Sequence, residues 1–183
     1  MALPADLPPE RLRLGVGSVQ ASVIIIATSL LAIIAYYDLT TRRIPNTLSI
    51  AIVALGLIRM ALIADPVAVC HTLAATVLIF VATFLLFWRG MIGGGDAKLI
   101  SALALLIGHQ KLISFLFSMS AFGGVLGLAV LARDKLTPGL ARLGFARAGR
   151  FVPELGRPTR RGSTVPYGLA IAAAGVITLI IVR

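Results

Sequence analysis

Five apolar runs, each about long enough to cross a bilayer, constrain this chain more than anything else in it. They occupy residues 18–37, 47–64, 67–88, 112–132 and 164–182, and Arg59 is the only Lys, Arg, Asp or Glu among them. A helix rises about 1.5 Å per residue, so about 20 apolar residues span a hydrocarbon core about 30 Å thick. With 58% hydrophobic and 13% charged residues, the chain is far from a soluble globular composition. The expected fold is all-α: a polytopic membrane helix bundle of about six transmembrane helices, forming a single domain over 1–183.

The sixth helix needs arguing. Residues 97–108 make only 12 apolar positions, and extension back to Met91 gives 18. The extension carries Gly93, Gly94, Gly95 and Asp96 into the membrane. With six spans, one side holds 12 basic residues: Arg42, Arg43, Arg89, Lys98 and the eight of the 133–163 loop. The other side holds 4, namely Arg11, Arg13, Lys111 and Arg183. With five spans the split falls to 10 against 6. The positive-inside rule therefore selects six spans, both chain ends outside, and 133–163 as a basic cytoplasmic connector.

That basic excess, +10 overall, is assigned to topology and to anionic lipid headgroups. Nucleic acid is not expected as a partner, because no basic-aromatic module is present. The single Cys70 excludes an internal disulfide framework and a cysteine zinc cluster. No metal or other cofactor is expected. No cleavable signal peptide is evident, since the first apolar run is itself long enough to span. Arg59, near the outer end of its run, is expected to snorkel to the interface. His71 and His109 fall near the same outer interface and read as ordinary interfacial residues.

The costliest stretch is Met91-Ile92-Gly93-Gly94-Gly95-Asp96-Ala97-Lys98-Leu99. Three glycines weaken a helix and bare backbone groups that lipid cannot satisfy, so the segment must pack in protein or line a wet cavity. An ionisable residue there reads as functional by default. Asp38 closes the first run, and the chain then crosses out and back before Asp96. That parity puts Asp38 and Asp96 on the same, cytoplasmic side at similar depth. Two facing carboxyls share a proton and titrate as one unit, the arrangement that activates water and protonates a leaving amide nitrogen. A bland reading stands beside it: Asp96 as a helix cap, and Asp38 neutralised by Arg42 or Arg43.

These residues carry a resemblance. Gly93-Gly94-Gly95-Asp96-Ala97-Lys98-Leu99 resembles the GxGD box of the type IV prepilin peptidase family. Asp38 with Ile44-Pro45-Asn46 is similar to that family's first aspartate and its downstream Ile-Pro-Asn. Val165-Pro166-Tyr167-Gly168-Leu169-Ala170 resembles the opening of its last helix. The resemblance implies a membrane aspartic endopeptidase of the inner membrane that removes the leader of type IV prepilins or pseudopilins at the cytoplasmic face. It assigns catalysis to Asp38 and Asp96. Gly93, Gly95, Lys98, Pro45 and Asn46 are expected to bind substrate, the two glycines by letting its backbone approach. Only 37 residues precede Asp38, and no CxxC is present. The chain thus resembles the short, peptidase-only forms serving tight-adherence (Flp-type) pili. The alternatives are a proton- or ion-coupled transporter with the aspartates as a relay, and an archaeal preflagellin-type peptidase.

Overall fold

In the computed structural model, residues 9–41, 44–63, 65–142 and 167–181 are described. Six helices follow one another: α1 Pro9–Thr41, α2 Asn46–Ala61, α3 Pro66–Trp88, α4 Gly94–Ile107, α5 His109–Arg142 and α6 Tyr167–Ile180. No strand occurs among the described residues, and the all-α bundle stands. Within these, Val19–Thr41, Pro66–Trp88 and His109–Ala132 are long and apolar enough to cross a membrane, while α2 and α6 are shorter apolar helices. One boundary differs from expectation. The basic connector does not begin at residue 133, because α5 runs on through Arg142; residues 143–163 lie outside the described residues.

Helix α4 is the centre. Every residue from Leu99 to Ile107 is buried. Helices α2 and α3 flank it closely, and α6 and α5 close the remaining sides. Close approach is set by small residues, as expected where lipid supplies no hydrophobic force between helices. A Cβ on Gly56 of α2 would meet Leu105 Cγ and the Leu106 backbone N at 3.1 Å. One on Gly175 of α6 would meet Leu31 of α1 at 3.0 Å and Leu103 of α4 at 3.3 Å. Helix α3 shows the membrane pattern most clearly. Its buried residues are Thr72 and Thr83, whereas Val77, Leu78, Phe80, Phe84 and Trp88 are exposed. Thr83 Oγ1 lies 3.2 Å from Ser101 Oγ, a hydroxyl clasp between α3 and α4 that leaves the apolar side chains for lipid.

Pairings along the helices give their directions. Asn46 meets Lys98 and Arg59 meets Ile107, so α2 and α4 run parallel. Thr72 meets His109, Thr83 meets Ser101 and Phe87 meets Gly94, so α3 runs against α4. Asp38 meets Gly168 and Leu31 meets Gly175, so α6 runs against α1. Asp38, Asn46, Gly94 and Gly168 therefore share one end of the bundle, and Arg59, Thr72 and His109 share the other.

The turn into α4 has its own device. Helix α3 ends in paired bonds, from Met91 N–H to Leu86 C=O at 2.9 Å and from Gly90 N–H to Phe87 C=O at 2.8 Å. They require a left-handed residue between, and Gly90 supplies it at φ 71°. At the far end α4 stops at Gly108, with φ 83°. The carbonyls left bare there are taken by Arg59, whose Nη1 donates to Ile107 O at 2.7 Å and also to Leu106 O. Arg59 therefore does not snorkel: it caps the negative end of the central helix.

Candidate active site

Asp38 lies in the last turn of α1 and is 7% exposed. Its Oδ2 accepts the backbone N–H of Leu169, in the first turn of α6, at 3.0 Å. That bond demands a glycine just before it. A Cβ on Gly168 would lie 2.7 Å from Asp38 Cγ and 2.8 Å from its Oδ2. The opening of α6 is thus shaped to receive this carboxyl, and the N–H groups of a helix start suit an acidic partner. Arg42 and Arg43, considered from sequence as partners of Asp38, lie outside the described residues.

Asp96 belongs to the first turn of α4. It is not the cap, which is Gly93, with no side-chain bond. The Asp96 carboxyl instead turns back toward Gly93, its Oδ2 lying 3.1 Å from where a Gly93 Cβ would stand. The two carboxyls line one cavity of about 870 Å³ and are close enough for their charges to interact. Gly93, Gly94, Gly95, Asn46, Tyr167 and Ile44 line it on the same side.

The glycines of the box differ in how little space surrounds them. Gly93 has φ −72°, and none of the three is left-handed. A Cβ on Gly94 would press on the Phe87 ring at 3.1 Å, and one on Gly95 would touch Ile44 Cβ at 3.4 Å. Ile44 and the start of α2 form a strap over the beginning of α4. Lys98 Nζ donates to Asn46 Oδ1 at 3.1 Å and fastens the strap from the other side. Pro45 is the cap residue of α2 and does not line the carboxylate cavity. Lys98 with Asn46 opens onto a neighbouring groove between α2 and α3. Of the residues expected to bind substrate, Gly93, Gly95 and Asn46 reach the cavity; Pro45 and Lys98 hold the frame around it.

Sequence reasoning passed over Gly168 and Leu169 as site residues, although it singled out the segment containing them. A glycine directly before the N–H that meets a carboxylate was the available signal. It also missed Tyr167, which lines the cavity and packs its ring 3.2 Å from where a Gly123 Cβ would stand.

Residues 25–128 match the family model of the type IV leader peptidase family. The chain belongs to that family. The match takes in both aspartates, the strap and the glycine box, and stops within α5 before the helix that receives Asp38. No curated protein and no solved structure matches the chain. Family and helices together identify a membrane peptidase of the leader-peptidase kind, acting on prepilin-like precursors.

Proposed function

We propose that this protein is a multi-pass aspartic endopeptidase of the inner membrane, one domain over 1–183, that removes the leader of type IV prepilins or pseudopilins at the cytoplasmic face. The observation that carries the reading is the convergence of Asp38 and Asp96, from helices far apart in sequence, on one cavity. Asp38 accepts the backbone N–H of Leu169, and the Asp96 carboxyl folds back against the backbone of Gly93. Such contacts fix the orientation of each carboxyl in the cavity. One carboxylate takes a proton from water as it attacks the scissile carbonyl, and the protonated partner donates to the leaving nitrogen. The pair ends the step with one proton still, now on the other carboxyl, and product release leaves it ready for the next turn. A mobile or misaligned carboxyl would forfeit the advantage of proximity, which makes the Leu169 N–H part of the machinery.

The membrane orientation follows from the charge asymmetry of the sequence. The carboxylate end carries Arg89 and Lys98 and receives the basic connector. Asp38→Asn, Asp96→Asn and the double variant are expected to leave a co-expressed prepilin uncleaved to the same extent, because the pair acts as a unit. All three should still accumulate in the membrane, since an amide costs less to bury than a carboxylate. The precursor's apparent mass, read beside membrane abundance, is the measurement. Full leader removal by Asp96→Asn ends the aspartic-peptidase reading.

A further inference from the structure

The end of the bundle opposite the aspartates holds a second cavity, of about 410 Å³, over the last turn of α4. Ala21 and Ile24 of α1, Arg59 of α2, Ile107 of α4, Lys111 of α5 and Leu179 of α6 help to line it. Two of its lining residues are cationic and none is acidic. Nothing in the proposed chemistry at Asp38 and Asp96 uses this space.

Arg59 is held here with half of its donors unspent. Its Nη1 donates to Ile107 O at 2.7 Å and to Leu106 O, which seats the guanidinium against the end of α4. A guanidinium carries five N–H groups, and these bonds engage only those of Nη1. Among the described residues, Nε and Nη2 meet no acceptor and no carboxylate pairs with the group. Neither nitrogen is buried, since no buried side-chain nitrogen or oxygen among the described residues lacks a partner. The open edge of the fork thus belongs to the cavity that Arg59 lines. Hydrocarbon cannot satisfy such donors. An oxyanion can, and a planar fork already fixed in place takes two phosphate oxygens side by side. Arg59 lies two residues before the end of α2, the depth at which a bilayer carries its headgroups. Val23, Ile24 and Ala27 continue the wall inward as apolar surface, which suits an acyl chain and not a hydrated ion.

We infer that this cavity is a phospholipid site: Arg59 takes the phosphodiester of a lipid from the leaflet opposite the aspartates, and an acyl chain lies along Val23 and Ala27. Lys111 adds a second positive charge, so the site suits a headgroup of net negative charge. The donors that cap α4 and those that hold the lipid are the two sides of one guanidinium. The inference is independent of the peptidase reading, because no residue of the carboxylate cavity takes part.

The test is a titration of the full chain, freed of lipid in a non-ionic detergent and read by native mass spectrometry. The probes are dioctanoyl phosphatidylglycerol, dioctanoylglycerol and inorganic phosphate. Phosphatidylglycerol is expected to form a saturable one-to-one adduct, about tenfold tighter than dioctanoylglycerol, the scale of hydrogen bonds between charged groups. Millimolar inorganic phosphate should not displace it. Ala21→Phe, which fills the cavity without touching a charge, should weaken the adduct by about the same factor. Arg59→Lys, which keeps the charge and loses the fork, should do likewise. Arg89→Gln, at the carboxylate end, should leave the affinity unchanged. Lys111→Gln, expected to weaken the adduct severalfold, replaces either cavity variant that does not fold. The absence of a phosphatidylglycerol adduct, or equal binding of dioctanoylglycerol, overturns recognition of the phosphodiester. Displacement by inorganic phosphate makes this a free-anion site and overturns the lipid. Wild-type affinity in the cavity variants, or a loss in Arg89→Gln alone, overturns the location.

Discussion

Replacing Gly168 by alanine tests the site at its tightest point. The added methyl would stand 2.7 Å from Asp38 Cγ, 2.8 Å from Oδ2 and 3.1 Å from Cβ. Comfortable carbon contacts begin at about 3.5 Å, so Asp38 or the start of α6 must move by nearly 1 Å. Stability should change modestly. Alanine in a helix gains about 0.5–1 kcal/mol over glycine, and overpacking costs about 1–3 kcal/mol. The protein should therefore accumulate in the membrane at somewhat reduced level. Activity should suffer far more, because the displacement falls on a reacting group and on the 3.0 Å bond from Leu169 N–H that aims it. A shift of this size costs about 10²-fold in rate, equivalent to about 2.7 kcal/mol on the barrier. The assay is a time course of prepilin conversion in isolated membranes, normalised to peptidase abundance. Gly124→Ala on α5 is the control, since nothing lies within 4 Å of its added methyl. A Gly168→Ala protein within about twofold of wild type, less than about 0.5 kcal/mol on the barrier, would refute the claim that α6 positions Asp38.

Gly95→Ala should retain most activity, because its methyl reaches only ordinary contact with Ile44 at 3.4 Å. Gly95→Val should displace the strap and slow processing, with membrane insertion intact; equal rates for the two variants would remove the strap from the account. Arg59→Gln should weaken the far end of α4 by about 1.5–3 kcal/mol, the range for hydrogen bonds to a charged group. The readout is the unfolding midpoint in detergent, and an unchanged midpoint would show that the cap is idle. Reporter fusions within 143–163 should read cytoplasmic and fusions at the C-terminal end periplasmic; a cytoplasmic C-terminal reading defeats the six-span topology.

The sequence made the helices readable because lipid imposes a length on them: α1, α3 and α5 each contain an apolar run, and α3 matches its run to within a residue. It also placed Asp38 and Asp96 at one end by parity alone, which required no knowledge of packing. Position 133 failed as a boundary because a helix can leave the bilayer without ending; hydropathy marks the lipid surface and not the last helical bond. Arg59 was misread for a related reason. Its distance from the interface was visible, but the bare carbonyls of Leu106 and Ile107 exist only once α2 lies beside α4. Gly168 belongs to the same class. Its lack of a side chain matters through a carboxylate 130 residues earlier, a relation that no local pattern encodes.

The central helix has a consequence for how the protein is made. At 14 residues, α4 is about 21 Å long against a hydrocarbon core of about 30 Å. It is enclosed by its neighbours and begins with a carboxylate. Such a segment has little to offer a translocon that sorts spans by their contact with lipid, one at a time. It enters stably only as the inner member of a group, with α2 and α3 already in place to cover it and Arg59 waiting for its last carbonyls. Assembly of the bundle and burial of its second aspartate are then the same event, and a chain stalled before that point holds Asp38 without Asp96 beside it.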